Sequence, residues 1–484
     1  MLVKDFKYPL LMKYFEEISA IPRKSYHEEK IADYLVAFAE SRGLEVYRDE
    51  AHNVLINAPA TKGMENSAPV MLQGHTDMVC EKNIGTEHDF MRDGLDLYVE
   101  DGKIRARGTT LGADNGVAVA VMLAILDGAT DKHPALQCLF TSAEEVGMGG
   151  VDSFDFSKIY AKNMINMDSA DDAEIIAGCA GGVRSDIEME LHYEKAADKK
   201  CFEIKLGGLA GGHSGEDINR GRMNANKMLA ALLQYIMKKE ELCVDLVSFN
   251  GGTAGNAIPR EAVANICVPE NVESELRAAI DNMEKILSAG LCKDDANFFV
   301  KLTEAEKNSD SVICKEDAKK LVFLVLAVPY GPLAYNREMP NVIEYSRNIG
   351  IVECSDNKAR VSFFARSAFE ERLDLSDLEL DAYADAIGAK HVYDSRYPGW
   401  VYAPESKLRD QYAGVVEQVL GRKPEITVIH AGLECGTIKD AIPDIDIISV
   451  GAIVRNLHSP DESLDIASFE RFFTMVCEFL AGWN

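Results

Sequence analysis

The chain has 484 residues, 47% hydrophobic and 27% charged, with 36 Gly and 15 Pro. That is too long for one ordinary core and too apolar for a disordered or fibrous chain, so about two or three domains are expected. Lys and Arg total 51 against 79 Asp and Glu, a formal net charge of −28, and a surface that acidic repels phosphate backbones and anionic headgroups, which excludes nucleic acid and membrane as expected partners.

The start, Met1-Leu-Val-Lys-Asp-Phe-Lys-Tyr-Pro-Leu10, lacks a basic region followed by an unbroken apolar stretch, so no signal peptide is expected. Apolar residues at helical spacing predict helices over Tyr8 to Ala20 and Glu28 to Ser41, with Gly43 as a stop. Short apolar runs predict strands at Asn53 to Asn57, Val70 to Gln73, Gln137 to Phe140 and Asn163 to Met167. Between the second and third lies Gly116 to Leu126, too short to span a bilayer and read as a buried helix. Strands alternating with helices predict an α/β domain whose sheet is mostly parallel.

From about Gly182 the pattern turns to polar–apolar alternation, as in Arg184 to Tyr193, Phe202 to Leu206, Glu261 to Val268, Asn341 to Arg347 and Arg360 to Phe364. Helices are expected at Ala225 to Lys239, Val272 to Ala289 and Leu373 to Ile387. This predicts an inserted α+β lid or dimerisation domain over 182–397. The first domain would be built from 1–181 and 398–484, with Glu425 to Ile429 and Ile445 to Val450 as buried strands. The insertion is long enough for a self-sufficient lid and also for a sheet that joins a homodimer. Eleven scattered Cys with no Cys-x-x-Cys pair read as buried thiols in a reducing compartment, and so as a cytoplasmic chain.

The chemistry stands where the strands end. One run leads into Gly74-His75-Thr76-Asp77, another into Ala143-Glu144-Glu145 and a third into Asp168-Ser-Ala-Asp171, while Gly112-Ala-Asp114-Asn-Gly116 opens the buried helix. In parallel sheets ligands bind beyond the carboxyl ends of the strands, so these segments bring several carboxylates and an imidazole to one edge. Gathered carboxylates repel one another unless cations neutralise them. A His with Asp and Glu suits zinc, manganese or cobalt, and the ligands exceed what one zinc takes. Two divalent ions are therefore expected, a recurrent device for hydrolysis.

These motifs resemble the di-zinc aminopeptidase, carboxypeptidase and aminoacylase superfamily. The resemblance is closer still to its cytosolic aminoacyl-histidine dipeptidases of the peptidase D type. It rests also on Gly211-Gly-His213-Ser-Gly215, Asn219-Arg-Gly-Arg-Met-Asn-Ala-Asn226, Gly251-Gly-Thr-Ala-Gly-Asn256-Ala-Ile-Pro259, His430-Ala-Gly432-Leu-Glu-Cys-Gly436 and His458-Ser-Pro460, across nearly the whole chain. The resemblance implies that His75, Asp114 and Asp168 hold one zinc and that Asp114, Glu145 and His458 hold the other. It implies that Asp77 orients His75, that Glu144 is the general base for the zinc-activated water, and that a cis peptide follows Asp114. It further implies that His213 steadies the oxyanion, that Asn256 and Arg366 hold the substrate backbone and its free carboxylate, and that Gly432 lies along the substrate. The implied activity is a dipeptidase acting on short peptides, among them Xaa-His dipeptides such as carnosine. An aminoacylase or carboxypeptidase on N-acyl amino acids is the rival within the class, and a non-catalytic peptide- or metal-binding protein the rival outside it. Glu144 speaks against the last, since a binding module has no use for a base there.

Overall fold

The computed structural model describes residues 6–196, 199–337 and 339–484. The chain divides into two compact units. One takes the chain up to Gly178 together with Trp400–Val428 and Leu433–Asn484; the other takes Cys179–Gly399 and the short segment Ile429–Gly432.

The first unit is built on an eight-stranded sheet in the order 45–48, 54–58, 136–141, 70–75, 163–169, 446–451, 174–179, 425–429. Strand Val70–His75 pairs in parallel with Leu136–Thr141 and with Asn163–Ser169, and Asp446–Gly451 continues the parallel run. The parallel part is thus central, and antiparallel strands flank it. Every residue of Val70–His75 and Leu136–Thr141 is buried, as continuous apolar runs require when both faces are covered. Glu425–Ile429 departs from expectation. It is exposed or half-buried throughout, because it closes the sheet order and has a neighbour on one side alone.

Helix Ala113–Leu126 is buried from Asn115 to Ile125 and packs tightly on strand Val70–His75. A Cβ at Gly74 would collide with Asn115 Oδ1 and Ala118 Cβ, so glycine there permits the close approach of helix and strand. The amphipathic helices Pro9–Ser19 and Ile466–Gly482 share the same core, with the Phe15 and Phe469 rings 5.7 Å apart.

The second unit carries a nine-stranded sheet whose paired strands are all antiparallel. From Val183 onward, strand Gly181–Glu190 alternates buried and less buried residues, the mark of a sheet covered on one face. Helices Ala225–Met237, Glu273–Ser288, Lys315–Ala327 and Glu370–Ile387 supply the cover and share its apolar core. Cys201 and Cys267 stand directly opposite on adjacent antiparallel strands and are disulfide-bonded, which corrects the expectation of eleven free thiols. Among the described residues no helix is long and apolar enough to cross a membrane.

Candidate metal centre

Strand ends and one helix start assemble the site within the first unit. His75 closes strand Val70–His75, Glu144 and Glu145 follow Leu136–Thr141, Asp168 lies near the end of Asn163–Ser169, and Asp114 opens the buried helix. His458 comes from a loop near the chain's end, with φ +59°. The peptide Asp114–Asn115 is cis.

The two oxygens of Asp114 face different imidazoles. Oδ1 lies 3.0 Å from His75 Nε2, and Oδ2 lies 3.2 Å from His458 Nε2. His75 Nε2 is also 3.6 Å from Asp168 Oδ1, and His458 Nε2 is 3.1 Å from Glu145 Oε2. Two groups with metal-holding geometry result, His75–Asp114–Asp168 and Asp114–Glu145–His458, each with ligand atoms within 4.8 Å of one another. His75, Glu144 and Glu145 make a third such group, so spacing alone permits Glu144 to act as a ligand as well as a base.

Asp77 is fully buried beneath His75. Its carboxylate accepts from Ser25 Oγ at 2.7 Å and from the backbone N–H groups of Glu144 and Glu145 at 3.0 and 3.2 Å, with His75 Nδ1 at 3.3 Å from Oδ1. His75 Nδ1 lies 3.2 Å from the backbone carbonyl of Asp77 as well, so Asp77 touches both the imidazole and the turn that carries the two glutamates. Burial alone would raise the Asp77 pKa, but the bonds and charge of His75 hold it low.

The electrostatics favour bound cations. Burial works against a proton on His75, yet Asp114, Asp168 and Asp77 raise its pKa well above the ordinary value. The hydrogen bonds of Asp114 and Glu145 push His458 up to about 11. Burial drives the Glu144 carboxyl far above the carboxylate range. Glu145 and Asp168 move the same way, with burial again the largest cause. Glu145 Oε1 is buried without a hydrogen-bond partner among the described residues. Without metal, protons on the raised carboxyls and imidazoles balance five carboxyls against two imidazoles, the place that divalent cations take at a mixed oxygen–nitrogen donor set.

Residues that the sequence analysis assigned no role brace the expected ligands. Asn115 Nδ2 donates to Asp168 Oδ1 at 2.9 Å and to Met167 O at 2.8 Å. Glu462 accepts four backbone N–H bonds from Leu111, Gly112, Ala113 and Asp114. Arg23, 2% exposed, donates to the carbonyls of Thr76, Asp77 and Gly112. Glu434 Oε2 accepts from Gln73 Nε2 at 2.6 Å and Thr141 Oγ1 at 2.7 Å, bridging two of the strands that end at the site. Partners tens to hundreds of residues away leave no local signal in the sequence.

The remaining expected residues lie in the second unit. Arg366 is 3% exposed; its Nη1 donates to Tyr397 Oη at 2.8 Å, its Nε to Ser214 Oγ at 3.3 Å, and its Nη2 lies 3.2 Å from His213 Nε2. No carboxylate among the described residues forms an ion pair with it, in a chain of net charge −28. A Cβ at Gly432 would press on the Tyr397 ring, so Gly432 adjoins the same cluster. Asn256 accepts from Ser214 N through its carbonyl at 2.8 Å and precedes Ala257, the strand partner of His213. His430 Nε2 lies 2.7 Å from Ser346 Oγ, and burial together with Arg366 pushes its pKa down to about 3.

The sequence profile of the peptidase family M20/M25/M40 matches residues 71–482. The chain is 38% identical over 469 residues to the cytosol non-specific dipeptidase of Escherichia coli strain K12, covering 96% of each chain. Its fold is similar to that of the aminoacylhistidine dipeptidase from Vibrio alginolyticus, with a TM-score of 0.90, 34% identity, and 99% and 98% of the two chains covered. Aminopeptidase PepT from Bacillus cereus shares the fold at a TM-score of 0.56 and 15% identity, with 98% of each chain covered. The chain belongs to peptidase family M20/M25/M40: it is a metallopeptidase of the dipeptidase kind, a hydrolase acting on peptide bonds.

Proposed function

We propose that the chain hydrolyses the single peptide bond of dipeptides, Xaa-His dipeptides such as carnosine among them, with two divalent ions held at Asp114. The observation that carries this reading is the placement of Asp114, one oxygen toward His75 and the other toward His458. His75 and Asp168 would complete one ion's ligands, Glu145 and His458 the other's. Zinc is the metal proposed first, with cobalt and manganese as alternatives. Bound there, such ions polarise a peptide carbonyl and acidify water.

The side chains supply the rest. Asp77 accepts the Nδ1–H of His75 and fixes its tautomer. Glu144 takes the proton of the attacking water and passes it to the leaving amine; its burial favours the protonated form it must adopt midway. Arg366, a buried cation with no acid paired to it among the described residues, reads the substrate's free carboxylate, the ruler that distinguishes a dipeptide from a longer chain. Asn256 and Gly432 contact the substrate backbone and His213 the oxyanion. The names of the relatives support short peptides as substrates and the cytoplasm as the compartment.

The test is a panel of dipeptides, tripeptides and acetylated amino acids offered to metal-replete protein. Turnover confined to dipeptides, with Xaa-His among them, is the expected result. Preference for acetylated amino acids would make the chain an aminoacylase or carboxypeptidase. Binding without turnover would make it a peptide-binding protein. Sedimentation of the same protein decides whether two copies join, and a variant lacking the inserted segment's exposed sheet residues would show whether they join through it.

A further inference from the structure

Two buried charges close on one residue from opposite sides. Glu462, 2% exposed, accepts the N–H of Leu111 at 2.7 Å and of Gly112 at 2.8 Å on Oε2, and those of Ala113 at 2.8 Å and Asp114 at 3.3 Å on Oε1. Arg23 donates from Nη2 to the carbonyl of the same Gly112 at 2.5 Å. Its Nη1 donates to Thr76 O at 3.1 Å and Asp77 O at 3.2 Å. Gly112 has φ +63°, and a Cβ there would meet Arg23 Nη2 and the Met78 side chain, so only glycine leaves room for the clasp.

Each charge reaches a different ligand loop. The carbonyls held by Arg23 belong to the two residues after His75, so Arg23 ties the His75 segment to the turn that presents Asp114. Glu462 follows His458 by one tight turn, closed by the Glu462 N–H to Ser459 O at 3.0 Å. It therefore ties the His458 loop to that same turn across 348 residues of sequence. Arg23 spans the 3.0 Å edge between His75 and Asp114; Glu462 spans the 3.2 Å edge between Asp114 and His458.

We propose that Arg23 and Glu462 are positioning residues that set the affinities of the two metal positions unequally. Both grip the turn of Asp114, which the two positions share, but Arg23 alone adds the His75 segment and so weighs more on the His75–Asp114–Asp168 position, while Glu462 alone adds the His458 loop and weighs more on the Asp114–Glu145–His458 position. The inference rests on the two-ion reading above. A carboxylate is suited to the task because it accepts four N–H groups at once. The carboxamide of E462Q would turn an N–H₂ against N–H donors and lose the Oε1 or the Oε2 pair. Loss of a group that orients a metal ligand typically costs about 10–100-fold in metal affinity.

The experiment is chelator competition with zinc, reading ions bound per chain by elemental analysis, in wild type, E462Q, E462D, R23K and H458A. Wild type binding fewer than two ions would sink the two-ion reading, whatever the variants do. With two bound, E462Q is expected to keep one ion within about threefold and weaken the other about 10–100-fold. H458A removes a ligand of the second position and so marks the first. Adding E462Q to H458A should weaken the remaining ion no more than about threefold, whereas adding R23K, which loses the guanidinium fork, should weaken it about tenfold or more. A purely structural role would weaken both ions equally, and that result, or a loss of about tenfold or more in the E462Q/H458A pair, overturns the proposal. Should E462Q fail to fold, E462D keeps the charge and carries the same comparison: a smaller loss confined to one ion supports the assignment, and an equal loss at both refutes it.

Discussion

Arg366→Met isolates the proposed reading of the substrate carboxylate. The guanidinium is 3% exposed, stacked 4.1 Å from the centre of the Phe364 ring and bonded to neutral partners, Tyr397, Ser214 and His213. Burial lowers its pKa, the sign of a cation that lacks compensation. Methionine fills most of the same volume with no charge, so the metal-free chain should unfold at the same or higher denaturant, because no buried acid is left behind. Binding is another matter. A carboxylate on the fork would make two charge-assisted hydrogen bonds of roughly 1.5–3 kcal/mol each, together about 3–6 kcal/mol. Wild type should therefore prefer a free dipeptide over its C-terminal amide by about 10²–10⁴-fold in kcat/KM. In the variant that preference should fall to less than about tenfold, with activity on the amide little altered. The assay is kcat/KM for the four combinations of acid or amide substrate with wild type or variant. An R366M protein that still discriminates acid from amide as strongly as wild type would refute the reasoning, since another group would then read the carboxylate.

Elemental analysis of active protein should find about two divalent ions per chain, and chelation should abolish a turnover that zinc, cobalt or manganese restores. Glu144→Gln should keep both ions and lose about 10²–10⁴-fold in kcat, whereas Asp114→Ala should lose the ions themselves; an ion lost from E144Q would place Glu144 among the ligands, as its cluster with His75 and Glu145 permits. Burial raises Glu434 to about 8, above an ordinary value near 4.5. Below the lower value native and unfolded chains both hold the proton, and between the two values the native chain alone holds it. Its contribution to stability is therefore full below the lower value and falls as pH rises toward about 8. Denaturant titrations of metal-free protein across that window should show E434Q losing less stability than wild type, by as much as about 4 kcal/mol; identical slopes would mean that Glu434 is ionised in the fold.

What the sequence reveals about the site depends on whether a residue acts through its side chain at a strand end or through contacts with distant backbone. His75, Glu144, Glu145 and Asp168 were legible because each follows an apolar run that forms a buried strand, and topology then carries them to one edge. The second unit's helix Lys315–Ala327 was not, because Leu321 to Leu326 is a continuous apolar run that does not separate helix from strand. Strand Glu425–Ile429 was legible as a strand but not as an edge, since its position in the sheet is decided by neighbours far along the chain. The paired Cys201 and Cys267 lie 66 residues apart, and only the register of their strands sets them face to face.

Arg23 and Glu462 mark the limit of such reading. A charged residue in a loop has solvent as its default partner, and nothing in Arg23-Lys-Ser25 or in Ser459-Pro-Asp-Glu462 departs from that default. Both are nonetheless buried, and burying a charge is costly unless hydrogen bonds replace the lost water. Here the replacements are backbone groups: three carbonyls for the cation and four N–H groups for the anion. Backbone groups are present at every residue and carry no identity, so recognition of this kind leaves no motif. The proposed ligands can be named from sequence because their chemistry must be specific. The charges that hold them become visible only when the fold shows which peptide bonds they grip.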